Sequence, residues 1–305
     1  MRLVFAGTPE PAVPSLRRLL ASDHDVVAVI TRRDAPLGRK RVLTPSPVAA
    51  TAADAGTETI RVNRLDGDTT ARVAALDADL GVIVAYGGLV REPLLATPRH
   101  GWINLHFSLL PRWRGAAPVQ HALINGDTET GVSVFRLVAE LDAGDVFARR
   151  AVSVPRGATA GALLDELAVL GADVLLEVVD AIAAGTATTT PQTGEATFAP
   201  KLTAEDGRIR WNEPGTAVLN RINGATPEPG AFTTIDGARL KVLSAAASDR
   251  PSPGSGRIAG DGRAVLAGAS DGAVELLRVQ PAGKPPMDAA DWWRGQRAPS
   301  VAVGT

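Results

Sequence analysis

Residues 102–111 read WINLHFSLLP, a mostly apolar run that ends in a turn containing serine and proline. The alternation of its first five residues predicts a β-strand, in which side chains two positions apart lie on the same face. Asn104 and His106 are therefore expected on one face, and the apolar residues between and after them on the other. An amide beside an imidazole at the end of a strand predicts a polar site built on a rigid edge.

The segments before this strand alternate between apolar strands and helices. Strands are predicted at residues 2–6, 25–31 and 79–86. Helices are predicted at residues 9–20, with Thr8 as the capping residue, and from the Ser46-Pro47 pair onward. Continuously apolar strands separated by helices predict a parallel sheet that is covered on both faces, with sites at the carboxyl ends of its strands. The turn at residues 7–9 lacks the G-x-G-x-x-G pattern, so a dinucleotide site is not favoured.

The segments after the strand extend the same domain. A helix is predicted at residues 115–125, two strands at 131–137 and 145–154, and a long amphipathic helix at 159–183. Antiparallel pairing of the two strands would make the sheet mixed. The predicted fold class is α/β, with a doubly wound, Rossmann-like mixed sheet.

The composition changes after the long helix. A polar, threonine-rich stretch at residues 187–204 is predicted to be a linker. Beyond it, short strands with Gly, Pro and Asp turns, the first of them at 208–211, and one helix near 216–225 predict a small β-barrel of the oligonucleotide-binding (OB-like) type. The predicted organisation is a catalytic domain at residues 1–186, the linker, and an OB-like domain at 205–305.

The composition also excludes several kinds of site. The 305 residues include no cysteine, so disulfides, cysteine nucleophiles and thiolate metal sites are excluded. None of the four histidines has the H-E-x-x-H spacing, and no metal is expected. The apolar run at the N-terminus is too short for a signal peptide or a membrane span, so a cytoplasmic protein without membrane contact is expected.

The formal net charge is −1, so contact with nucleic acid would depend on local patches. One such patch has five basic residues within ten positions: Arg32, Arg33, Arg39, Lys40 and Arg41. Its glycine and proline residues predict a loop rather than a helix. The run is interpreted either as a solvated loop or as a local contact for RNA.

Asn104, His106 and Asp142 form a candidate site. The amide can donate a hydrogen bond without titrating, the imidazole can donate or carry a proton, and the carboxylate can orient the imidazole or accept a proton. Ser108 is close in sequence, but no G-x-S-x-G elbow surrounds it. Donors and a base without a nucleophile predict direct transfer of an acyl group between two bound substrates, through an oxyanion that the donors stabilise. The alternative is that these are hydrogen-bonded polar residues at a strand end, with a simple turn at 142–145.

Several short motifs together resemble the signature of the folate-dependent formyltransferases. They are NLH at residues 104–106, SLLP at 108–111, RG at 114–115 and LDAGD at 141–145. Further segments are similar to the branch of this family that formylates an aminoacylated tRNA: residues 5–9, 38–39, 45–48, 85–87, 112–120, 201–202 and 277–284. The resemblance covers nearly the whole chain.

The resemblance implies that 10-formyltetrahydrofolate is the formyl donor and that methionine carried by initiator tRNA is the acceptor. It implies that Asn104, His106 and Asp142 are catalytic: the first two steady the oxyanion, and Asp142 positions His106 and helps to move a proton from the amine toward N10 of the folate. The residues implied to bind folate are Ser108, Leu109, Leu110, Pro111, Tyr86, Gly87 and Leu89. The residues implied to bind tRNA are Arg39, Lys40 and Arg41, with the C-terminal barrel holding the tRNA backbone.

Three features depart from the family pattern. Phe107 follows the motif histidine, at a position where many members have a small residue. The basic loop reads GRKRV at residues 38–42 and lacks the second glycine that is common elsewhere. Glu228 lies where a neutral residue would suit RNA better. The alternatives are a sugar-amine formyltransferase, which would lack the basic loop and the segment QPAGK at 280–284, and a hydrolase of formyltetrahydrofolate. A nucleic-acid-binding module is a third, and it would leave the three candidate residues without a role. A monomer is expected.

Overall fold

The computed structural model describes residues 1–38 and 40–304. Its contacts divide the chain into two compact units. The first unit contains Met1–Ala116, Thr130–Val152 and Leu164–Ala199, and the second contains Ala117–Glu129, Ser153–Leu163 and the residues from Pro200 onward.

The helices and strands before Pro200 run in this order: β1 (Arg2–Gly7), α1 (Val13–Leu20), β2 (Asp25–Thr31), β3 (Ala35–Leu37), β4 (Val42–Thr44), α2 (Pro47–Asp54), β5 (Thr59–Arg61), α3 (Gly67–Ala75), β6 (Leu80–Val84), β7 (Trp102–His106), β8 (Arg114–Gly115), α4 (Pro118–Asn125), β9 (Glu129–Arg136), β10 (Val146–Ser153), α5 (Ala160–Ala183) and β11 (Phe198–Ala199). Seven of the strands form one sheet, in the order β10-β9-β7-β6-β1-β2-β5. The pairs from β7 to β5 are parallel, whereas β9 is antiparallel to β7. The sheet is therefore mixed, which confirms the predicted fold class.

β7 lies inside this sheet and presents its two faces as the alternation predicted. Leu105 packs against α5 where Gly171 has no side chain, since a Cβ there would lie 2.8 Å from Leu105 Cδ2. His106 leaves the opposite face, where its ring meets Phe135 of β9 edge to face with the centroids 6.4 Å apart. The strand thus carries His106 to the carboxyl end of the parallel part of the sheet.

The first helix differs from its prediction. Residues 10–12 form a 3-10 turn, and the α-helix begins only at Val13. Thr8 is not the cap, because its hydroxyl has no hydrogen-bond partner among the described residues. The donors that a cap needs are absent: Pro11 has no N–H, and the Ala12 N–H donates to Pro9 O at 3.0 Å.

The stretch predicted as a linker is anchored to the first unit as far as Ala199. β11 pairs in parallel with β8, and Ala199 lies opposite Gly115. Thr190 exchanges two backbone hydrogen bonds with Val146, of 2.8 and 2.9 Å. The helix predicted from residue 115 begins only at Pro118, because residues 114–115 are extended in the pairing with β11.

The elements after Pro200 are α6 (Gly215–Gly224), β12 (Phe232–Ile235), β13 (Ala238–Ser248), β14 (Arg257–Asp261), β15 (Ala264–Gly268), β16 (Ala273–Pro281), β17 (Met287–Asp288), α7 (Ala289–Arg294) and β18 (Ser300–Ala302). Six strands follow one another as β12-β13-β16-β15-β14-β18, each antiparallel to its neighbour, and β17 pairs with β16. A bridge between Thr234 and Gly304 brings the two edges together. The result is the nearly closed barrel that the sequence predicted.

The barrel core contains Trp211, whose indole N–H donates to Thr233 Oγ1 at 3.0 Å. The prediction of a strand at residues 208–211 is wrong. Of these residues only Arg208 forms a β-bridge, which pairs it with Phe232. It follows directly after a 3-10 turn at Glu205–Gly207. Every helix within residues 1–38 and 40–304 is too short or too polar to cross a lipid bilayer.

Candidate active site

His106, the last residue of β7, is nearly enclosed, with 6% of its surface exposed. Its Nε2 lies 2.8 Å from the carbonyl oxygen of Trp113. A carbonyl can only accept, so Nε2 carries a proton and the neutral ring has its lone pair on Nδ1. That nitrogen lies 3.8 Å from Oδ2 of Asp142.

Asp142 lies in the turn between β9 and β10 and is 8% exposed. Its Oδ2 accepts a hydrogen bond of 2.7 Å from the Gly115 N–H, the backbone of β8. The distance between this oxygen and Nδ1 of His106 is too long for a direct hydrogen bond. When the ring is neutral, the lone pair on His106 Nδ1 therefore faces the Asp142 carboxylate. A proton that binds to Nδ1 would be stabilised by the negative charge of that carboxylate.

Burial lowers the pKa of the His106 imidazole, because the charged ring is poorly solvated there. The negative charge of Asp142 and the hydrogen bond to Trp113 act in the opposite direction and offset part of this effect. The ring is therefore neutral at pH 7, and Asp142 stands ready to stabilise the imidazolium once a proton arrives. This is the electrostatic arrangement of a general base.

Asn104 lies two residues before His106 on the same strand face and is partly exposed. Its neighbour in the antiparallel register is Phe135, and in the parallel register it is Ile83. Neither of these apolar neighbours has a side-chain group that could compete for the hydrogen bonds of the amide. The structure thus brings Asn104, His106 and Asp142 to one edge of the sheet.

Ser108 is fully buried, and its hydroxyl donates to the carbonyl oxygen of Arg112 at 2.6 Å. Ser133 closes the same turn, donating to Ser108 O at 2.7 Å and accepting from Leu110 N at 3.1 Å. The Ser108 hydroxyl is therefore committed to the turn and is not presented as a nucleophile. The side chains that remain for the chemistry are those of Asn104, His106 and Asp142, and their roles stay a prediction.

Two of the residues implied to bind folate have side chains that point elsewhere. Ser108 builds the turn, and Leu110 packs in a buried cluster with Phe135 and Val146. Ser108 and Leu110 could therefore meet a folate through their backbone groups, and their place in the folate site stays a prediction. Leu109 and Pro111, which belong to the same turn and are also implied to bind folate, are partly exposed.

The loop after β6 contains the remaining three residues of that set. The ring of Tyr86 is buried and its hydroxyl donates to Val62 O at 3.3 Å, so only its backbone can face a ligand. Gly87 is exposed, and its carbonyl accepts from Nη2 of Arg32 at 2.9 Å. Leu89 is 68% exposed. The loop therefore offers backbone groups and one apolar side chain.

Part of the basic run lies in a hairpin in which β3 and β4 pair antiparallel, with Leu37 opposite Val42. Lys40 and Arg41 lie exposed at its turn, and Arg39 lies outside the described residues. Leu37 and Leu43 are exposed as well. The hairpin thus combines positive charge with exposed apolar side chains.

Sequence reasoning missed the groups that hold the His106–Asp142 pair. Trp113 and Gly115 act through a backbone carbonyl and a backbone N–H, which no side-chain pattern reveals. The RG motif at residues 114–115 was the one available signal. Among the residues described, no group of His, Asp or Glu side chains is arranged to hold a metal ion.

Two family models match this chain over most of its length. Residues 1–179 match the model described as "Formyl transferase", and residues 201–297 match "Formyl transferase, C-terminal domain". A protein of Clavibacter sepedonicus described as "Methionyl-tRNA formyltransferase" is 62% identical over 297 residues, 97% of each chain. A protein of the same description from Leifsonia xyli subsp. xyli is 56% identical over 301 residues, 99% of each chain.

The fold is also similar to that of solved structures. The sugar 3N-formyl transferase WlaRD matches with a TM-score of 0.69 at 15% identity, over 93% of this chain and 99% of that chain. At this level of identity the similarity shows the shared fold alone.

Proposed function

The chain belongs to the formyl transferase family, and on this premise we propose how its residues carry out the reaction. The protein is an enzyme that transfers the formyl group of 10-formyltetrahydrofolate to the α-amino group of methionine on initiator tRNA. This formylation supplies the aminoacyl-tRNA with which bacterial-type translation begins.

The observation that carries the proposed mechanism is the pairing of His106 Nδ1 with the Asp142 carboxylate, 3.8 Å apart, in a site where the Ser108 hydroxyl is bonded to Arg112 O. The methionine amine attacks the formyl carbon directly, without a covalent enzyme intermediate. His106 accepts the proton that the amine loses, at Nδ1, and Asp142 stabilises the imidazolium. His106 then passes this proton from Nδ1 to the leaving nitrogen, N10 of the folate. The amine has lost one proton, N10 has gained it, and His106 is neutral again.

Asn104 supplies the oxyanion donor. Its partly exposed amide can hydrogen-bond to the oxygen that becomes negatively charged when the amine attacks. Neutral His106 cannot share this role, because its one N–H is bound to Trp113 O. After the imidazole has taken the proton, the new Nδ1–H becomes a second donor. The role of His106 thus changes within one turnover.

We place the folate substrate against the loop after β6 and the turn after β7. The backbone at residues 86–89 and the exposed side chain of Leu89 provide hydrogen-bonding groups and an apolar surface of the kind that a heteroaromatic ring requires. The partly exposed Leu109 and Pro111 provide further apolar contact. Both segments follow parallel strands, where ligands of open α/β sheets bind.

We assign tRNA binding to the hairpin of β3 and β4 and to the C-terminal barrel. Lys40 and Arg41 at the hairpin turn, together with Arg39, supply positive charge for phosphate groups. In this scheme residues 1–186 carry out catalysis and residues 205–305 hold the tRNA backbone. Residues 187–204 connect them and are anchored to the first unit as far as Ala199. The enzyme acts as a monomer in the cytoplasm.

The choice of acceptor is tested by assaying the full chain with 10-formyltetrahydrofolate and two acceptors in parallel. One is initiator tRNA charged with methionine, and the other is an amino-sugar nucleotide. Formylation of the tRNA alone is expected. Formylation of the sugar without that of the tRNA would assign the chain to the sugar-amine branch instead.

A further inference from the structure

Gln192 lies in the stretch that the sequence predicted as a linker, and its side-chain amide is fully hydrogen-bonded within the first unit. Its Nε2 donates to the carbonyl oxygens of Asp142 and Gly144, at 2.8 and 2.9 Å. Its Oε1 accepts from Nε and Nη2 of Arg114, at 3.1 and 2.7 Å. Both N–H groups and both lone pairs of the amide are therefore used.

Only one orientation of the Gln192 amide satisfies these partners. The two carbonyl oxygens require donors, and the Arg114 guanidinium has donors only. A rotation of the amide by 180° would place its oxygen against the two carbonyl oxygens and its N–H groups against the guanidinium. The partners thus fix which atom is nitrogen and which is oxygen, and Gln192 connects the turn at residues 141–145 to Arg114.

The turn that Gln192 holds is one that needs support. Asp142 has φ of +46°, in the left-handed region that residues with a side chain rarely adopt. Gly144 approaches β9 so closely that a Cβ would lie 1.8 Å from the carbonyl oxygen of Arg136. Gln192 binds the carbonyl groups of both residues, and so fixes the backbone from which the Asp142 carboxylate extends.

The oxygen of the Gln192 amide is also connected to the Asp142 carboxylate, through Arg114 and Gly115. Arg114 immediately precedes Gly115, whose N–H donates to Asp142 Oδ2 at 2.7 Å. Arg114 N itself donates to Thr197 O at 2.8 Å, which ties β8 to the segment containing Gln192. The backbone of Asp142 and the group that holds its carboxylate are therefore both attached to residues 192–197.

We propose that Gln192 is a positioning residue for formyl transfer, which keeps the Asp142 carboxylate beside His106 by fixing the turn that carries it. The proposal deepens the mechanism above and rests on the proposed function. Gln192 touches neither reacting atom, so its effect on the reaction passes through Asp142. The same bonds give the predicted linker a role in the chemistry.

Two variants of the full chain remove the amide. Gln192→Ala deletes the side chain, and Gln192→Met keeps most of its length without donors for the two carbonyl groups. Thr193→Ala, at the exposed neighbouring residue, is the matched control. Asp142→Asn is the reference for a lost carboxylate, and circular dichroism and thermal unfolding establish which variants are folded.

The first readout is the pKa of the His106 ring, measured by NMR titration of the enzyme without substrates. Asp142 is the charged side chain that acts on this ring, which otherwise meets the Trp113 carbonyl and the Phe135 ring. Nearby, Arg114 is hydrogen-bonded to Gln192 and paired with Glu140. Because the Asp142 charge raises this pKa, a displaced carboxylate lowers it. We expect Gln192→Ala and Gln192→Met to lower the pKa in the direction of Asp142→Asn, and Thr193→Ala to leave it unchanged.

The second readout is the formylation rate. A small misplacement of a catalytic group costs up to ~10²-fold, so we expect kcat to fall by about 10- to 100-fold in both Gln192 variants, with KM for both substrates nearly unchanged. In the Asp142→Asn background, Gln192→Met is expected to lower kcat little further, because the two changes act on one group.

The proposal is overturned if a folded Gln192→Met enzyme keeps the wild-type pKa of His106 and the wild-type kcat. It is also overturned if the loss in kcat is equally large in the Asp142→Asn background, because Gln192 would then act independently of Asp142. Failure of the proposed function is a separate result, in which the wild-type chain does not formylate charged tRNA. The NMR titration needs no substrate and still decides whether Gln192 places Asp142.

Discussion

At the scale of single residues, the proposed chemistry depends on which ring nitrogen of His106 carries the proton and which has the free lone pair. The bond from Nε2 to Trp113 O fixes the tautomer, and burial keeps the ring neutral. The sequence predicted that Asn104 and His106 share a face, because strand alternation is a local property. It could not predict the tautomer, because the carbonyl that selects it belongs to a residue seven positions away.

The lowered pKa of His106 predicts a pH dependence of stability. The unfolded chain takes up a proton near pH 6.5, whereas the buried ring resists it, so the free energy of unfolding falls as the pH falls below about 6.5. This one group contributes at most about 1.4 kcal/mol per pH unit. Denaturant unfolding should therefore show that the free energy of unfolding falls less between pH 7.5 and 5.5 in His106→Asn than in the wild type. The exposed His100→Asn serves as control, and an equal loss in all three proteins would contradict the burial argument.

Direct transfer predicts that Ser108 is not required for chemistry. Ser108→Ala removes the bond to Arg112 O and should destabilise the turn by about 1 kcal/mol, because a partly buried hydrogen bond is lost. The kcat of the folded variant should stay within about tenfold of the wild type, as should that of Ser133→Ala, the other hydroxyl in this turn. Trapping of a formylated Ser108, or a loss of ~10³ or more confined to Ser108→Ala, would indicate a covalent intermediate.

At the scale of elements, the pairing of β8 with β11 is what holds the candidate site in place. Gly115 has φ of +124°, and a Cβ there would lie 2.6 Å from Ala199 O. The sequence predicted six of the seven strands of the sheet because their apolar patterns are local, but it missed the three-residue strand β5. The two-residue pairing depends on backbone groups about 80 positions apart, and the polar composition of residues 187–204 indicated only a linker.

Gly115→Ala is expected to displace the N–H that holds Asp142. Gly194→Ala is the matched control, because Gly194 also has a positive φ, of +95°, but no atom lies within 4 Å of its added Cβ. Both variants should lose about 1–2 kcal/mol of stability from the strained φ. Gly115→Ala should lose more and should also have a kcat lowered by at least ~10-fold. Equal kcat values in the two folded variants would show that β8 does not position Asp142.

At the scale of the whole molecule, the charge is nearly balanced, so tRNA contact depends on where the positive side chains lie. The sequence was sufficient to predict an α/β sheet followed by a barrel, because composition and strand spacing change near residue 200. It could not predict that the first unit continues to Ala199, or that residues 117–129 belong to the second unit, since both follow from packing.

The charge distribution predicts the salt dependence of tRNA binding. Replacing Lys40 and Arg41 together by alanine removes two exposed cations from the hairpin turn. The slope of log KM for tRNA against log salt concentration should become shallower by about 1–2, while KM for folate stays unchanged. Arg72→Ala on α3, outside the basic run, is the control. An unchanged slope in the double variant would mean that the hairpin is a solvated loop.

We propose that the His106–Asp142 pair moves the proton in a direct formyl transfer. It is tested by the single-turnover rate of formyl transfer to charged initiator tRNA in Asp142→Asn, with tRNA binding and thermal unfolding measured on the same sample. We expect a rate at least ~10² lower than that of the wild type, with binding and folding intact. A near-normal rate in the folded variant would contradict it.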